Sequence, residues 1–143
     1  MYAVHGTLGG ATQTDPISNF TCFYYEYDAE RRVTKEVVFG KSNESITTTT
    51  LSGNEWDYEN PDYNDWYRKS VETRLDGATS TVYRNYLGQP LLSDLYDGST
   101  HWYTYNVYDS NGRLVLSAEP SAVSGYAKDG NENWNQAAPT PVT

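Results

Sequence analysis

The sequence has 143 residues, a formal net charge of −9 and a pI near 4.5. This charge disfavours a nucleic-acid partner, because phosphate-binding surfaces are basic, and no apolar run is long enough for a membrane-spanning helix. One Cys and two His are too few for an internal disulfide or a zinc cluster. Leu, Ile, Val and Phe make 24 of 143 residues, which with this charge is typical of disorder, but 14 Tyr and 4 Trp oppose that interpretation.

Residues 1–19 are predicted to be irregular. Beyond them Thr, Tyr and Val are frequent and helical periodicity is absent, which predicts β-strands. Turn-forming residues divide these strands into hairpins. In chain order the paired segments are 20–28 with 33–39, 66–75 with 78–86 around Asp76-Gly77, 91–96 with 102–108 around Asp97-Gly98, and 102–108 with 113–118 around Asn111-Gly112.

Alternation along the predicted strands gives each one an apolar and a polar face. The apolar residues that share a face are Tyr67, Val71 and Leu75; Val82 and Tyr86; Tyr103, Tyr105 and Val107; and Leu114, Leu116 and Ala118. We therefore predict an all-β fold, an antiparallel meander of about six or seven short strands in an open sheet. The acidic, aromatic loop 53–65 lacks the pattern, and the polar tail 127–143 is predicted to be disordered or a linker.

An internal repeat runs through the predicted hairpins. The sequence YEYDAERRV, from Tyr25, aligns with VYDSNGRL, from Val107: both carry Tyr-Asp, a turn, then Arg and an aliphatic residue. A degenerate copy at 83–91 aligns Tyr86 with Tyr108, lacks the Asp and has a shorter turn. The motif residues of the three copies are Tyr25, Tyr27, Asp28, Arg32, Tyr83, Tyr86, Gly88, Tyr105, Tyr108, Asp109, Gly112 and Arg113.

The repeat resembles the YD repeat of the RHS (rearrangement hotspot) family over residues 82–126 and 20–40. The resemblance implies a strip of β-hairpins belonging to a hollow shell that encloses a toxic domain, or to an extracellular surface, in a secreted or cell-surface parent protein. Neighbouring YD repeats would then be the partners, or the chain would associate with itself through strand edges. Two or three repeats cannot close a shell, so we expect a segment of a larger repeat protein with residues 20–126 as its repeat region.

The chemistry of one repeat unit can be stated from its residues. Tyr108 ends a strand and packs on the sheet, and Asp109 accepts backbone N–H bonds in the turn. Gly112 supplies a positive φ. Arg113 begins the return strand, where its guanidinium pairs with Asp109 or stacks on Tyr108.

Other functions compete with the structural one. Trp56, Trp66 and Trp102 are candidates for stacking on sugar rings, which makes a small carbohydrate-binding β module the alternative. Carboxylates in loop 53–65 and at 109–112 allow a calcium site, but solvated-loop and turn interpretations explain these residues, so we predict neither metal nor cofactor. No nucleophile elbow, phosphate loop or zinc-protease motif is present, and we predict no catalytic residues and no enzyme. A glycoside-acting enzyme built on paired carboxylates is the third option.

Overall fold

A computed structural model describes residues 22–39, 45–52 and 62–143. These residues form ten β-strands and no helix, so the described part contains no helix suited to crossing a membrane. The strands are β1 (Cys22–Tyr27), β2 (Val33–Phe39), β3 (Ser45–Ser52), β4 (Arg68–Thr73), β5 (Thr79–Arg84), β6 (Pro90–Tyr96), β7 (His101–Tyr108), β8 (Leu114–Ala118), β9 (Val123–Gly125) and β10 (Thr140–Pro141). The predicted irregular segment 1–19 and residues 53–61 of the acidic loop lie outside the described residues.

The strands β1 to β8 form one antiparallel sheet in which each strand pairs with its neighbours in the chain. The predicted all-β meander is thereby confirmed. The four predicted hairpins correspond to β1–β2, β4–β5, β6–β7 and β7–β8. Strand β3, with the sequence SITTTTLS, is absent from the prediction, although its Thr content favours a strand. Strands β9 and β10 form a separate two-stranded sheet.

One face of the sheet carries the hydrophobic core. Register places Tyr83 of β5 beside both Lys69 of β4 and Leu92 of β6, and places Leu92 beside Tyr105 of β7. Tyr83 and Leu92 are fully buried. The expectation that Val82 supplies the apolar face of β5 is therefore wrong for this strand, since Val82 and Tyr83 point to opposite faces. The core cluster consists of Trp66, Tyr83, Leu91, Leu92, Tyr108 and Trp134.

The C-terminal segment packs on this core, which differs from the prediction of a disordered or linker tail at 127–143. Trp134 is only 2% exposed, and its backbone N–H donates to the Tyr83 hydroxyl at 3.1 Å. Its carbonyl accepts from Nε1 of Trp66 at 3.0 Å. Strand β9 contacts β7, and β10 pairs with β9. Burial of Trp134, the bonds at its backbone groups and the pairing of β9 with β10 together order this polar segment.

Candidate functional site

Four five-residue loops that begin with Asp or Asn share one bonding pattern, and they contain most of the polar residues of the repeat motif. A fifth loop, residues 74–78, has the same backbone bonds but begins with Arg74. In each loop the first residue donates its backbone N–H to the carbonyl of the fifth, and the fourth donates to the carbonyl of the first. Three loops connect strands at the same end of the sheet, and the fourth lies in the C-terminal segment. The loops span residues 28–32, 85–89, 109–113 and 129–133.

The first side chain of each loop is Asp or Asn and organises the turn. Asp109 Oδ1 accepts from the backbone N–H groups of Asn111 at 2.9 Å and Arg113 at 3.0 Å. Asp28, Asn85 and Asp129 accept the two corresponding bonds in their own loops. Such bonds satisfy donors that the turn leaves unpaired, which is why Asp and Asn favour these positions.

The fourth residue of each loop has a left-handed backbone. Gly88 and Gly112 have φ values of 81° and 73°, whereas Arg31 and Glu132 adopt φ values of 63° and 61°. Gly112 therefore plays the role expected from the sequence. In the first copy of the repeat, Arg31 occupies the position that corresponds to Gly112. This costs conformational free energy, because residues with a side chain disfavour the left-handed region.

The middle copy of the repeat has a different alignment from the one predicted. Asn85, not Tyr86, occupies the Asp position, and Gly88 aligns with Gly112, so the offset is 109 − 85 = 24 residues and the turn has full length. Tyr86 lies inside the loop and its ring packs on Tyr63, with 5.5 Å between ring centroids. Aligning Tyr86 with Tyr108 does not reveal this register, because Asn85 stands where the other copies have Asp.

Two loops close with an ion pair between their first and fifth residues. Arg113 Nε lies 2.8 Å from Asp109 Oδ2, and Arg32 Nε lies 2.6 Å from Asp28 Oδ2. The hydrogen bond from the Arg113 side chain, with those from the loop backbone, lowers the pKa of Asp109 to about 2. Both Asp109 oxygens accept hydrogen bonds from these donors, so neither can ligate a calcium ion without losing them. Among the described residues no cluster of three or more His, Cys, Asp or Glu is suited to a metal.

The segment that leads into β4 joins two of the loops. Asn64 bonds Tyr108 twice, accepting from its backbone N–H at 2.8 Å and donating to its carbonyl at 2.9 Å. Asn85 Nδ2 donates to the Tyr63 carbonyl at 2.8 Å, and Gln89 Nε2 donates to the Gly112 carbonyl at 2.9 Å. These bonds fix the β5–β6 hairpin beside the β7–β8 hairpin.

The motif tyrosines divide between the core and the sheet surface. Tyr83 and Tyr108 are buried, and the Tyr108 hydroxyl donates to the Pro90 carbonyl at 3.0 Å. Tyr105 packs edge-on against Trp134 with centroids 6.1 Å apart. Tyr25 donates to Glu36 Oε1 at 3.2 Å, and Tyr27, on the same strand, is exposed.

The three tryptophans proposed for sugar stacking have different environments. Trp66 is 4% exposed, so its ring has no free face to offer a ligand. Trp102 is 39% exposed and remains available. Trp56 lies outside the described residues. The structure therefore leaves Trp102 as the described candidate.

A polar cluster on the core face was not found from the sequence. Asp94 is buried. Its Oδ1 is hydrogen-bonded to Nδ1 of His101 at 2.7 Å, and its Oδ2 accepts from the Tyr126 hydroxyl at 3.4 Å. The His101 ring is stacked between Tyr96 and Tyr103, with centroids at 4.3 Å and 5.4 Å. Burial raises the pKa of Tyr126 far above its usual value. The cluster ties the segment after β8 to strands β6 and β7, and its members lie too far apart in sequence to form a motif.

No protein-family model, curated protein or solved structure matches this chain.

Proposed function

We propose that this chain is a structural β-hairpin segment of a larger RHS-type YD-repeat protein and that it performs no chemistry of its own. The observation that carries the proposal is the recurrence of one loop chemistry at residues 28–32, 85–89 and 109–113, all at the same end of one sheet. A loop that forms its own cap of hydrogen bonds lets successive hairpins be added without new interactions between distant residues.

The outer edge of β8 supports a continuing sheet. Among the described strands β8 pairs only with β7. Leu114, Val115 and Leu116 are 54%, 62% and 47% exposed. Edge strands that end a sheet usually carry Lys, Pro or another feature that prevents pairing, and this strand has three consecutive apolar residues instead. We therefore place the next strand of the parent protein, or a strand of a second copy, against β8.

The role of the parent protein follows from the family resemblance. In a shell, the strip would enclose a toxic domain; on a secreted or cell-surface protein, it would present a surface to other molecules. Both roles need a long sheet with uniform turns, and the three equivalent loops supply such turns.

The β8 edge can be tested by measuring self-association of the chain. Sedimentation velocity over a range of concentrations should show dimers or larger species. As they form, hydrogen exchange should show new protection of the β8 amides that face away from β7. Leu116→Lys should shift the chain to monomer, because a charge on an edge strand opposes pairing. Ser121→Lys adds the same charge at an exposed turn and serves as the control. A cooperatively folded monomer at all concentrations, in which the β8 amides that face away from β7 stay unprotected, would contradict the proposal.

Trp102 favours a second candidate, glycan binding. Trp102 is exposed and pairs across the strands with Leu95, whereas the core residues Leu92 and Tyr105 pair three positions along. Because side chains alternate between the two faces of a strand, Trp102 lies on the face opposite the core. An exposed Trp on a flat sheet offers a stacking surface for a pyranose ring. Glycan-array binding that Trp102→Ala abolishes would support this function, and unchanged binding in that variant would exclude Trp102 as its site.

A further inference from the structure

Two arginines lie side by side on the face opposite the core, which we call the outer face (Arg68, Ser70, Val82, Arg84, Ser93, Trp102 and Thr104). Arg68 of β4 is the direct cross-strand partner of Arg84 of β5. The Arg84 guanidinium reaches toward β4, where Nη1 donates to Ser70 Oγ at 3.4 Å. Ser70 and Arg68 are two residues apart on one strand, so both guanidinium groups lie above the same part of the outer face.

This pair is unfavourable in the absence of a ligand. Cross-strand neighbours have Cβ atoms about 4.5–5.5 Å apart, and like charges at that distance destabilise a sheet. Among the described residues Arg32, Lys35, Arg74, Arg113 and Lys128 each have a carboxylate within ion-pair distance, whereas Arg31, Arg68, Lys69 and Arg84 have none. Of these four, only Arg68 and Arg84 are direct cross-strand partners. The chain has 19 acidic and 10 basic residues. Two adjacent arginines without a carboxylate partner among the described residues therefore form a positively charged pair that can accept an anion.

The surroundings of Arg68 leave room for such an anion. Arg68 lines a cleft of about 300 Å³ together with Tyr25, Arg32 and Thr48. Of the two carboxylates in this cleft, Asp28 is paired with Arg32, whereas Glu36 accepts only from the neutral Tyr25 hydroxyl. The anion is therefore placed between Arg68 and Arg84, away from Glu36. Guanidinium groups bind carboxylate and sulfate oxygens through paired N–H donors.

We propose that Arg68 and Arg84 form an oxyanion site that binds the sulfate or carboxylate group of an acidic polysaccharide. The row between this site and Trp102 consists of short side chains, because Ser70 lies beside Val82, Val82 beside Ser93 and Ser93 beside Thr104. An extended sugar chain can therefore lie flat across the outer face, with its ring on Trp102 and its anion on the arginine pair. The saccharide part of this proposal rests on the glycan-binding function proposed for Trp102. The anion site does not depend on whether the chain is a segment of a YD-repeat protein.

Binding of four probes to the full chain tests this site. Inorganic sulfate, dextran sulfate and polygalacturonate should bind, and neutral dextran should bind more weakly. Arg68→Gln or Arg84→Gln should weaken dextran sulfate binding about tenfold, the effect of losing one charge-assisted contact. Arg74→Gln is the matched control, because it removes the same charge from an exposed arginine paired with Glu72. Comparing the affinity for the sulfate probes with the affinity for polygalacturonate identifies whether the site prefers sulfate or carboxylate.

The outcomes separate this proposal from its premise. Equal weakening by Arg74→Gln, or no binding of dextran sulfate and sulfate, would overturn the arginine site. Dextran sulfate binding that is no tighter than neutral-dextran binding and depends on Trp102 alone would leave glycan binding standing and remove the anion site. Arg68→Gln should also raise the unfolding midpoint without ligand, because it relieves the like-charge contact and leaves the Arg84–Ser70 bond in place. A lowered midpoint would show that the pair is already neutralised within the chain and would refute the proposal.

Discussion

Replacing Trp134 by Ala should destabilise the fold by about 3–5 kcal/mol, the usual range for removing a core Trp. The side chain is 2% exposed and packs edge-on against Tyr83 at 5.8 Å and Tyr105 at 6.1 Å. Burying about 150–250 Å² of Trp is worth about 4–6 kcal/mol at about 25 cal/mol per Å², which is an upper bound. The backbone bonds of residue 134 to Tyr83 and Trp66 remain available to Ala. The loss of folding stability in Trp134→Ala therefore comes mainly from lost side-chain packing.

Urea denaturation followed by far-UV circular dichroism measures this loss, because that signal does not depend on a single Trp. A domain of this size is stable by about 5–15 kcal/mol, so the expected effect is a large fraction of the total. Trp102→Ala is the matched control and should cost less, with an upper bound of about 2–4 kcal/mol by the same area arithmetic, since its side chain keeps 39% of its surface in water. If Trp134→Ala cost no more than Trp102→Ala, the C-terminal segment would not belong to the core.

Three further predictions concern the loops, each measured by denaturation with the wild-type chain as reference. Gly112→Ala should cost more than Gly88→Ala, because both incur about 1–2 kcal/mol for a positive φ but only the Gly112 Cβ would lie 2.8 Å from the Tyr63 ring; equal losses would refute this. Arg31→Gly should stabilise by about 0.5–1 kcal/mol, since relief of the left-handed strain exceeds the entropy cost of glycine, and a destabilised variant would contradict it. The pKa of Asp109 falls from 3.8 to about 2 on folding, so its stabilising contribution is complete above pH 3.8 and is lost as the pH falls through about 2. Asp109→Asn should therefore lack that part of the pH dependence of stability between about pH 6 and about pH 2. An unchanged pH profile in this variant would exclude the role of Asp109.

The hairpins could be predicted because their determinants are local. Asp76-Gly77 and Asn111-Gly112 identify turns by residue type alone, and strand periodicity does the rest. The turn geometry was harder to predict. Asp-Gly and Asn-Gly pairs favour tight two-residue turns, but only the glycine of each pair has positive φ here and each loop has three central residues. Local sequence marks where a turn lies, whereas the bonds from Asp or Asn determine its form.

The core was harder to predict because its contacts are distant in sequence. Period-two alternation in β5 offers Val82 or Tyr83 as the buried residue, and the choice depends on a partner 51 residues away, Trp134. Trp134 itself stands among polar residues with no periodicity, so composition favours a disordered tail. The Asp94 and His101 cluster also depends on Tyr126, which lies 32 residues from Asp94.

The same contacts explain how a chain with a composition typical of disorder forms an ordered sheet. Tyr and Trp supply apolar area and also a donor, which Leu or Val cannot do. Trp66 bonds the carbonyl of residue 134, Tyr108 bonds that of Pro90, and Tyr83 accepts the N–H of residue 134. Segments up to 68 residues apart are thus joined by groups that also exclude water. A thin sheet stabilised in this way keeps exposed apolar residues at β8, and pairing with a neighbouring strand would bury them.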